Sequence, residues 1–162
     1  MQTSQFVAQR PGEIMANVTV ADQVKAPADV VWALIGPYGS ISNWMPGIAS
    51  ADVEGAGVGA VRVLTTDDGG KITERLLAEN PSPHSYTYEI LSSPFPIQNY
   101  VSTIMVVDEG DGSSTMSWVC NFEPVDAPEE ELTQAFSDMY KGAIANIQRM
   151  TEGDAPEAPD AA

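Results

Sequence analysis

Basic residues are scarce. The 162-residue chain has 7 Lys and Arg against 23 Asp and Glu, a formal net charge of −16. Such a surface repels a phosphate backbone and has no basic stripe to compensate, so nucleic acid is not an expected partner. An anionic membrane surface is disfavoured for the same reason. There is one cysteine, Cys120, so no intrachain disulfide can form, which fits a reducing compartment. Cys120 sits in a strand-like run without a basic neighbour, and reads as a buried structural thiol rather than a nucleophile. The single histidine, His84, follows Pro81-Ser82-Pro83 in an expected surface turn, a poor place for a catalyst. One His, one Cys and no acids at ligand spacing point to no metal and no cofactor. Asp67-Asp68-Gly69 lacks the alternating acids of a calcium loop and reads as a solvated turn. Dinucleotide, P-loop and nucleophile-elbow glycine motifs are missing. No apolar run is long enough to cross a bilayer, and the first twelve residues lack a charged-then-apolar leader. The expectation is a cytoplasmic protein without stable membrane insertion.

What is present is a series of short strand-like runs. Val18, Val20 and Val24 share one parity, as a half-buried strand requires. Pro27 then suits the start of a helix carrying Val30, Val31, Leu34 and Ile35, which Gly36 and Pro37 end. Residues 41–44 form a second short helix, stopped by Pro46 and Gly47. Strands are expected over 51–54, 60–65, 71–78, 85–91, 99–107 and 114–122. Asp67-Asp68-Gly69-Gly70 between two of them is a strong hairpin signal. The final element is a long helix with Asp126 as N-cap and Glu129 completing a capping box. Leu132, Phe136, Met139, Ala143, Ile147 and Met150 form its apolar stripe. Residues 1–15 are expected to be flexible, with Met15 an alternative start, and the acidic, Pro-rich residues 151–162 to be disordered.

This order is an α+β plan. We read residues 16–150 as one helix-grip domain. In it a curved antiparallel sheet of six or seven strands wraps a long C-terminal helix, with short helices after the first strand. One helix against so many strands leaves internal volume, and such interiors hold ligands.

The chain resembles the SRPBCC or START-related superfamily, in its polyketide cyclase/dehydrase-like branch. Birch-pollen-type allergens and plant abscisic-acid receptors are more distant relatives. The resemblance rests on Ala26-Pro27-Ala28-Asp29-Val30-Val31-Trp32, Ser42-Asn43-Trp44-Met45-Pro46 and Gly57-Val58-Gly59-Ala60-Val61-Arg62. Thr73-Glu74-Arg75-Leu76, Asn99-Tyr100-Val101-Ser102-Thr103 and the Trp118 strand continue it, so that it spans residues 18–150. It implies polar ligand contacts at Glu74, Tyr100 and Ser102. Residues 46–50 lack the lysine that anchors a carboxylate in the hormone receptors. Residues 65–69 lack their gate motif, and residues 93–96 their latch histidine. Hormone sensing is therefore not implied.

The residues themselves leave two readings of Glu74. Sharing parity with Ile72 and Leu76, it faces inward as an acid or base of raised pKa, or it pairs with a cation such as Arg62 or Arg75. Tyr100 and Ser102 share a strand face and either orient a ligand oxygen or bond to backbone within the core. Trp44 and Trp118 are candidate cavity walls, Phe95 between two prolines a candidate lid, and Met139, Gly142 and Asn146 the candidate cavity side of the long helix. The leading functional reading is binding or carriage of a small hydrophobic molecule: a lipid, an isoprenoid or a polyketide-like aromatic. The alternative is a cyclase or dehydratase-type enzyme, with Glu74 as acid or base and Tyr100 with Ser102 stabilising an enolate. A third reading is an interaction module using the same groove. Monomer and homodimer both remain open.

Overall fold

A computed structural model describes residues 15–152. β1 (Ala16–Val24) leads into helix α1 (Ala28–Ile35), a 3-10 turn (Tyr38–Ser40) and helix α2 (Ile41–Trp44). Six strands follow: β2 (Ile48–Glu54), β3 (Val61–Thr66), β4 (Lys71–Pro81), β5 (His84–Ser92), β6 (Ile97–Asp108) and β7 (Ser114–Pro124). Helix α3 (Glu129–Glu152) ends the fold. All seven strands form one antiparallel sheet in the order β1-β7-β6-β5-β4-β3-β2. Every neighbour is a sequence neighbour except β1, which pairs with the last strand. This is the expected helix-grip architecture, with short helices after the first strand.

Strand parity sets the inner face. Val18, Val20 and Val24 of β1, Tyr86 and Tyr88 of β5, and Met116, Trp118, Cys120 and Phe122 of β7 are all buried. The hairpin between β3 and β4 closes at Gly69, whose φ of 93° needs a residue without Cβ strain. The Asp67 N–H donates to the Gly47 carbonyl at 3.0 Å, tying this hairpin to the loop after α2. The N-terminus of α1 takes its cap from far away in sequence: Asp108 Oδ2 accepts the Ala28 N–H at 3.0 Å.

The long helix corrects two expectations. It is not capped by Asp126, whose backbone is left-handed at φ 54°; it starts at Glu129, after Pro128. Its buried stripe is Leu132, Phe136, Tyr140, Ala143, Ile144 and Ile147, with Met139 and Met150 only half-buried. A period of 3.6 residues carries Phe136 to Tyr140 and on to Ile144, so the stripe winds past the expected methionines. The helix also runs to Glu152, two residues into the expected tail, and the Glu152 carboxylate accepts the Lys25 N–H at 2.7 Å. The rest of that tail, residues 153–162, and residues 1–14 lie outside the described residues.

Gly142 faces solvent, and a Cβ built there meets nothing within 4 Å. Gly142→Ala therefore removes helix-breaking entropy without a clash and should stabilise the fold by about 0.5–1 kcal/mol, read as a rise in urea midpoint at unchanged slope. A fall in midpoint would show that the glycine is required where it stands.

Candidate functional site

Among the strands, α3 packs chiefly on β1 and β7. Towards β3, β4 and β5 the helix and sheet diverge, and a cavity of about 140 Å³ lies between them. Leu64, Ile72 and Tyr88 form its sheet wall, and Phe136, Met139 and Tyr140 its helix wall. Met45 after α2 and Phe95 from the β5–β6 loop stand at the rim, Phe95 packed edge-on against Phe136 with ring centres 5.4 Å apart. An apolar cavity of about 150 Å³ accepts a benzene ring, so this one has room for a single ring or a short branched chain.

One end of the cavity is polar. Arg62 on β3 and Glu74 on β4 lie directly opposite in register and share the inward parity of Leu64 and Ile72. Arg62 Nε donates to Glu74 Oε1 at 2.8 Å, and Nη2 lies 2.7 Å from the same oxygen. The arginine is 0% exposed and the glutamate 5%. Two charges this dry need further partners. Nη1 donates to the Tyr38 carbonyl at 2.9 Å and to the Tyr86 hydroxyl at 3.3 Å. The guanidinium carbon lies 4.0 Å from the Tyr38 ring centre and 4.9 Å from that of Tyr88. Among the described residues Glu74 Oε2 accepts no hydrogen bond, and Glu74 forms part of the cavity wall. Burial pushes the Glu74 carboxyl above its usual range, and the adjacent Arg62 pulls it back only in part.

Beside this pair the Tyr100 hydroxyl bonds the Tyr140 hydroxyl and lies 3.4 Å from that of Tyr88. Burial holds all three phenols well above their ordinary value, so they stay protonated and neutral. The Trp118 indole stacks on Tyr140, centroids 4.2 Å apart and planes 7° from parallel. A bulge places Tyr100. Between Gln98 and Val101, β6 carries one residue more than its partner β7, and Asn99 absorbs it with a φ of 56°. The buried Glu123 carboxylate accepts Gln98 Nε2 at 2.8 Å and Asn99 Nδ2 at 3.0 Å, clamping the bulge.

Of the residues singled out from sequence, Glu74, Tyr100, Trp118, Phe95 and Met139 line the cavity. Four do not. Ser102 donates to the Val119 carbonyl at 2.9 Å and accepts Trp118 Nε1 at 2.8 Å, so it orients Trp118 from behind. Trp44 is fully buried, packed edge-on against Trp118 at 5.8 Å. Asn146 donates to the Trp44 carbonyl at 2.9 Å and braces α2 on α3. Gly142 lies on the opposite, solvent side of α3. Both readings of Glu74 hold together: it pairs with Arg62 and it borders the cavity. Tyr140 and Tyr88 went unremarked as site residues, although Tyr140 stands four residues after Phe136 on the same helix face. His84 is half-buried rather than free on a turn, stacked on Trp32 at 5.3 Å and 3.0 Å from Asp29. Cys120 is buried, and burial raises its thiol above the ordinary value, which lowers its thiolate fraction. Among the described residues no group of three or more His, Cys, Asp or Glu is placed to hold a metal, and no helix is long and apolar enough to cross a membrane.

A seven-stranded grip on one helix, with an apolar chamber ending in a buried ion pair, defines a protein of the helix-grip class with an internal cavity. Residues 15–152 match the family described as polyketide cyclase / dehydrase and lipid transport, and the chain belongs to that family. Among solved structures it is similar to the protein XoxI from Bacillus cereus, at 33% identity over 85% of this chain and 96% of that one, with a TM-score of 0.79. The Zhui aromatase/cyclase from Streptomyces sp. R1128 shares the fold at 16% identity, 88% and 94% coverage and a TM-score of 0.69. Norcoclaurine synthase from Thalictrum flavum, in complex with dopamine and hydroxybenzaldehyde, does so at 15% identity, 89% and 90% coverage and a TM-score of 0.69. At these last two identities the likeness is one of fold.

Two measurements probe the site. In a carboxyl-carbon NMR titration Glu74 should show a midpoint above its ordinary 4.5, because its charged form is desolvated. The folded chain holds this proton more tightly than the unfolded chain. Its contribution therefore favours folding below the ordinary value and is lost as pH rises through the raised midpoint. A midpoint at or below 4.5 would show that Arg62 outweighs burial. At the bulge, Asn99→Val forces a β-branched residue into left-handed backbone and should cost about 1–3 kcal/mol. Asn99→Gly, which relieves that strain, should cost less in the same urea unfolding. Equal losses would mean that the Glu123 bond alone matters.

Proposed function

We propose that the chain binds and carries one small, mostly apolar molecule in the cavity between sheet and helix. The observation that supports this most is the chamber itself: mostly apolar walls contributed by six strands and two helices, closed at one end by a neutralised ion pair. Its size favours a single ring, or the end of a longer lipid or isoprenoid emerging past Phe95 and Met45. The family description, which couples polyketide chemistry with lipid transport, points the same way.

The second reading, a cyclase or dehydratase-type enzyme, draws on Glu74. A carboxyl held above its usual range and open on one oxygen can exchange a proton with a bound molecule. The enolate-stabilising pair that such an enzyme was expected to use is weaker. Ser102 is turned away from the cavity, and Tyr100 is already bonded to Tyr140. Carriage needs only the shape and one polar contact, and the chamber and the Glu74 carboxyl support that reading.

Native mass spectrometry of freshly purified protein should reveal a co-purified small molecule, and an apolar environment-sensitive dye should bind saturably. Met139→Trp adds bulk to the helix wall at a half-buried position and should weaken the dye at least tenfold. Unchanged dye affinity in that variant, with no co-purified molecule, would overturn the carrier reading.

A further inference from the structure

The open oxygen of Glu74 selects among molecules that fit. We infer that the ligand is an uncharged ring carrying a hydroxyl, seated with that hydroxyl on Glu74 Oε2; this rests on the carrier reading above and deepens it.

The argument starts from unequal use of the carboxyl group. Arg62 places both its contacts on Oε1, at 2.8 and 2.7 Å, and leaves Oε2 without a partner among the described residues, on a side chain that lines the chamber. Glu74 is only 5% exposed and lines the chamber, so a ligand that fills the chamber displaces the water that would otherwise serve that oxygen. A buried polar atom without a partner is costly, and a ligand that supplies one gains what an apolar ligand forfeits. The rest of the wall is apolar side chain, aromatic rings and Thr66, whose hydroxyl is already taken by Asp68 and the Gly70 N–H, which favours an apolar remainder of the ligand.

Charge narrows the class further. A carboxylate ligand would meet the acid it must pair with. An ammonium would be drawn to Glu74 but stand close to the Arg62 guanidinium, which already neutralises that acid and does not titrate. It would also surrender its hydration to an apolar chamber. A neutral hydroxyl avoids both penalties. It donates to Oε2 when the carboxyl is ionised and accepts from it when the carboxyl is protonated, so the pairing survives titration of Glu74. A carbonyl group can satisfy only the protonated form.

Toluene and phenol are nearly the same shape and differ by a methyl against a hydroxyl, which makes them the test, with benzylamine and benzoate as charged controls. Titrating each into the wild-type chain by calorimetry at neutral pH, we expect phenol to bind at least as tightly as toluene, and the two charged compounds at least tenfold more weakly than phenol. The double variant Arg62→Met with Glu74→Leu replaces the whole buried pair by apolar groups of similar size, a change that cores tolerate, whereas removing one partner strands a buried charge. In it the order should invert, with toluene favoured over phenol by about tenfold, because the hydroxyl is buried without a partner. Toluene binding in the wild type with phenol tenfold weaker would overturn the hydroxyl assignment and leave the cavity reading standing. Phenol preference that persists in the double variant would transfer the contact to the tyrosine hydroxyls and also overturn it. Benzylamine binding as tightly as phenol would refute the exclusion of cations. Binding of none of the four would refute the single-ring cavity, and this assignment with it.

Discussion

One helix has to cover the inner face of seven strands, and it is too narrow to do so. Helix α3 lies against β1 and β7, and the β1 valines, Cys120 and Phe122 share one buried core with Ala143, Ile144 and Ile147. Past β6 the sheet curves away and the short helix α2 has to close the gap. The volume left over is the cavity. Its position thus follows from which strands the helix chooses, and that choice follows from the antiparallel pairing of the first strand with the last.

The uncovered end of the sheet is also where the fold carries its buried charges. Glu74 without Arg62 would be an isolated anion in an apolar wall, and Arg62 without the Tyr38 carbonyl and the tyrosine rings would be an under-solvated cation. Tyr38 belongs to the turn between α1 and α2, so the ion pair binds the short helices to β3 and β4 as well as furnishing the chamber's polar end. The same residues therefore hold the wall in place and set what the wall can recognise. The tyrosine trio works in parallel, with Tyr140 of α3 bonded to Tyr100 of β6 across the chamber and Trp118 stacked on it.

Much of this was legible in the chain. The alternation of Val18, Val20 and Val24 and the Asp67-Asp68-Gly69-Gly70 hairpin are local patterns, and the elements follow them closely. The Arg62–Glu74 pair was legible as one of two readings, because a hairpin of known turn brings strand positions into register. Errors arose where a side chain's direction depends on the exact phase of an element. Steps of three and four fit more than one face of the last helix, so the spacing of Gly142 and Asn146 does not distinguish the cavity side from the solvent side, and only packing selects Tyr140 for the buried stripe. Ser102 has the inward parity expected of it, yet its short side chain ends on the Val119 carbonyl and the Trp118 indole before reaching the chamber.

By itself the sequence determined the class of fold, the order of the elements, the inward parity of Glu74 and Tyr100, and a formal net charge of −16. Those properties depend on periodicity, turn chemistry and charge, which act over a few residues or over the whole chain at once. Only the tertiary structure decided that the chamber is the size of one ring, that Asn99 rather than another residue carries the bulge, and that Arg62 takes one oxygen of Glu74 and leaves the other without a partner among the described residues. These depend on distances between side chains brought together from separate strands and helices. Spacing along the chain does not encode them, because they are settled by how far a curved sheet can follow a single straight helix.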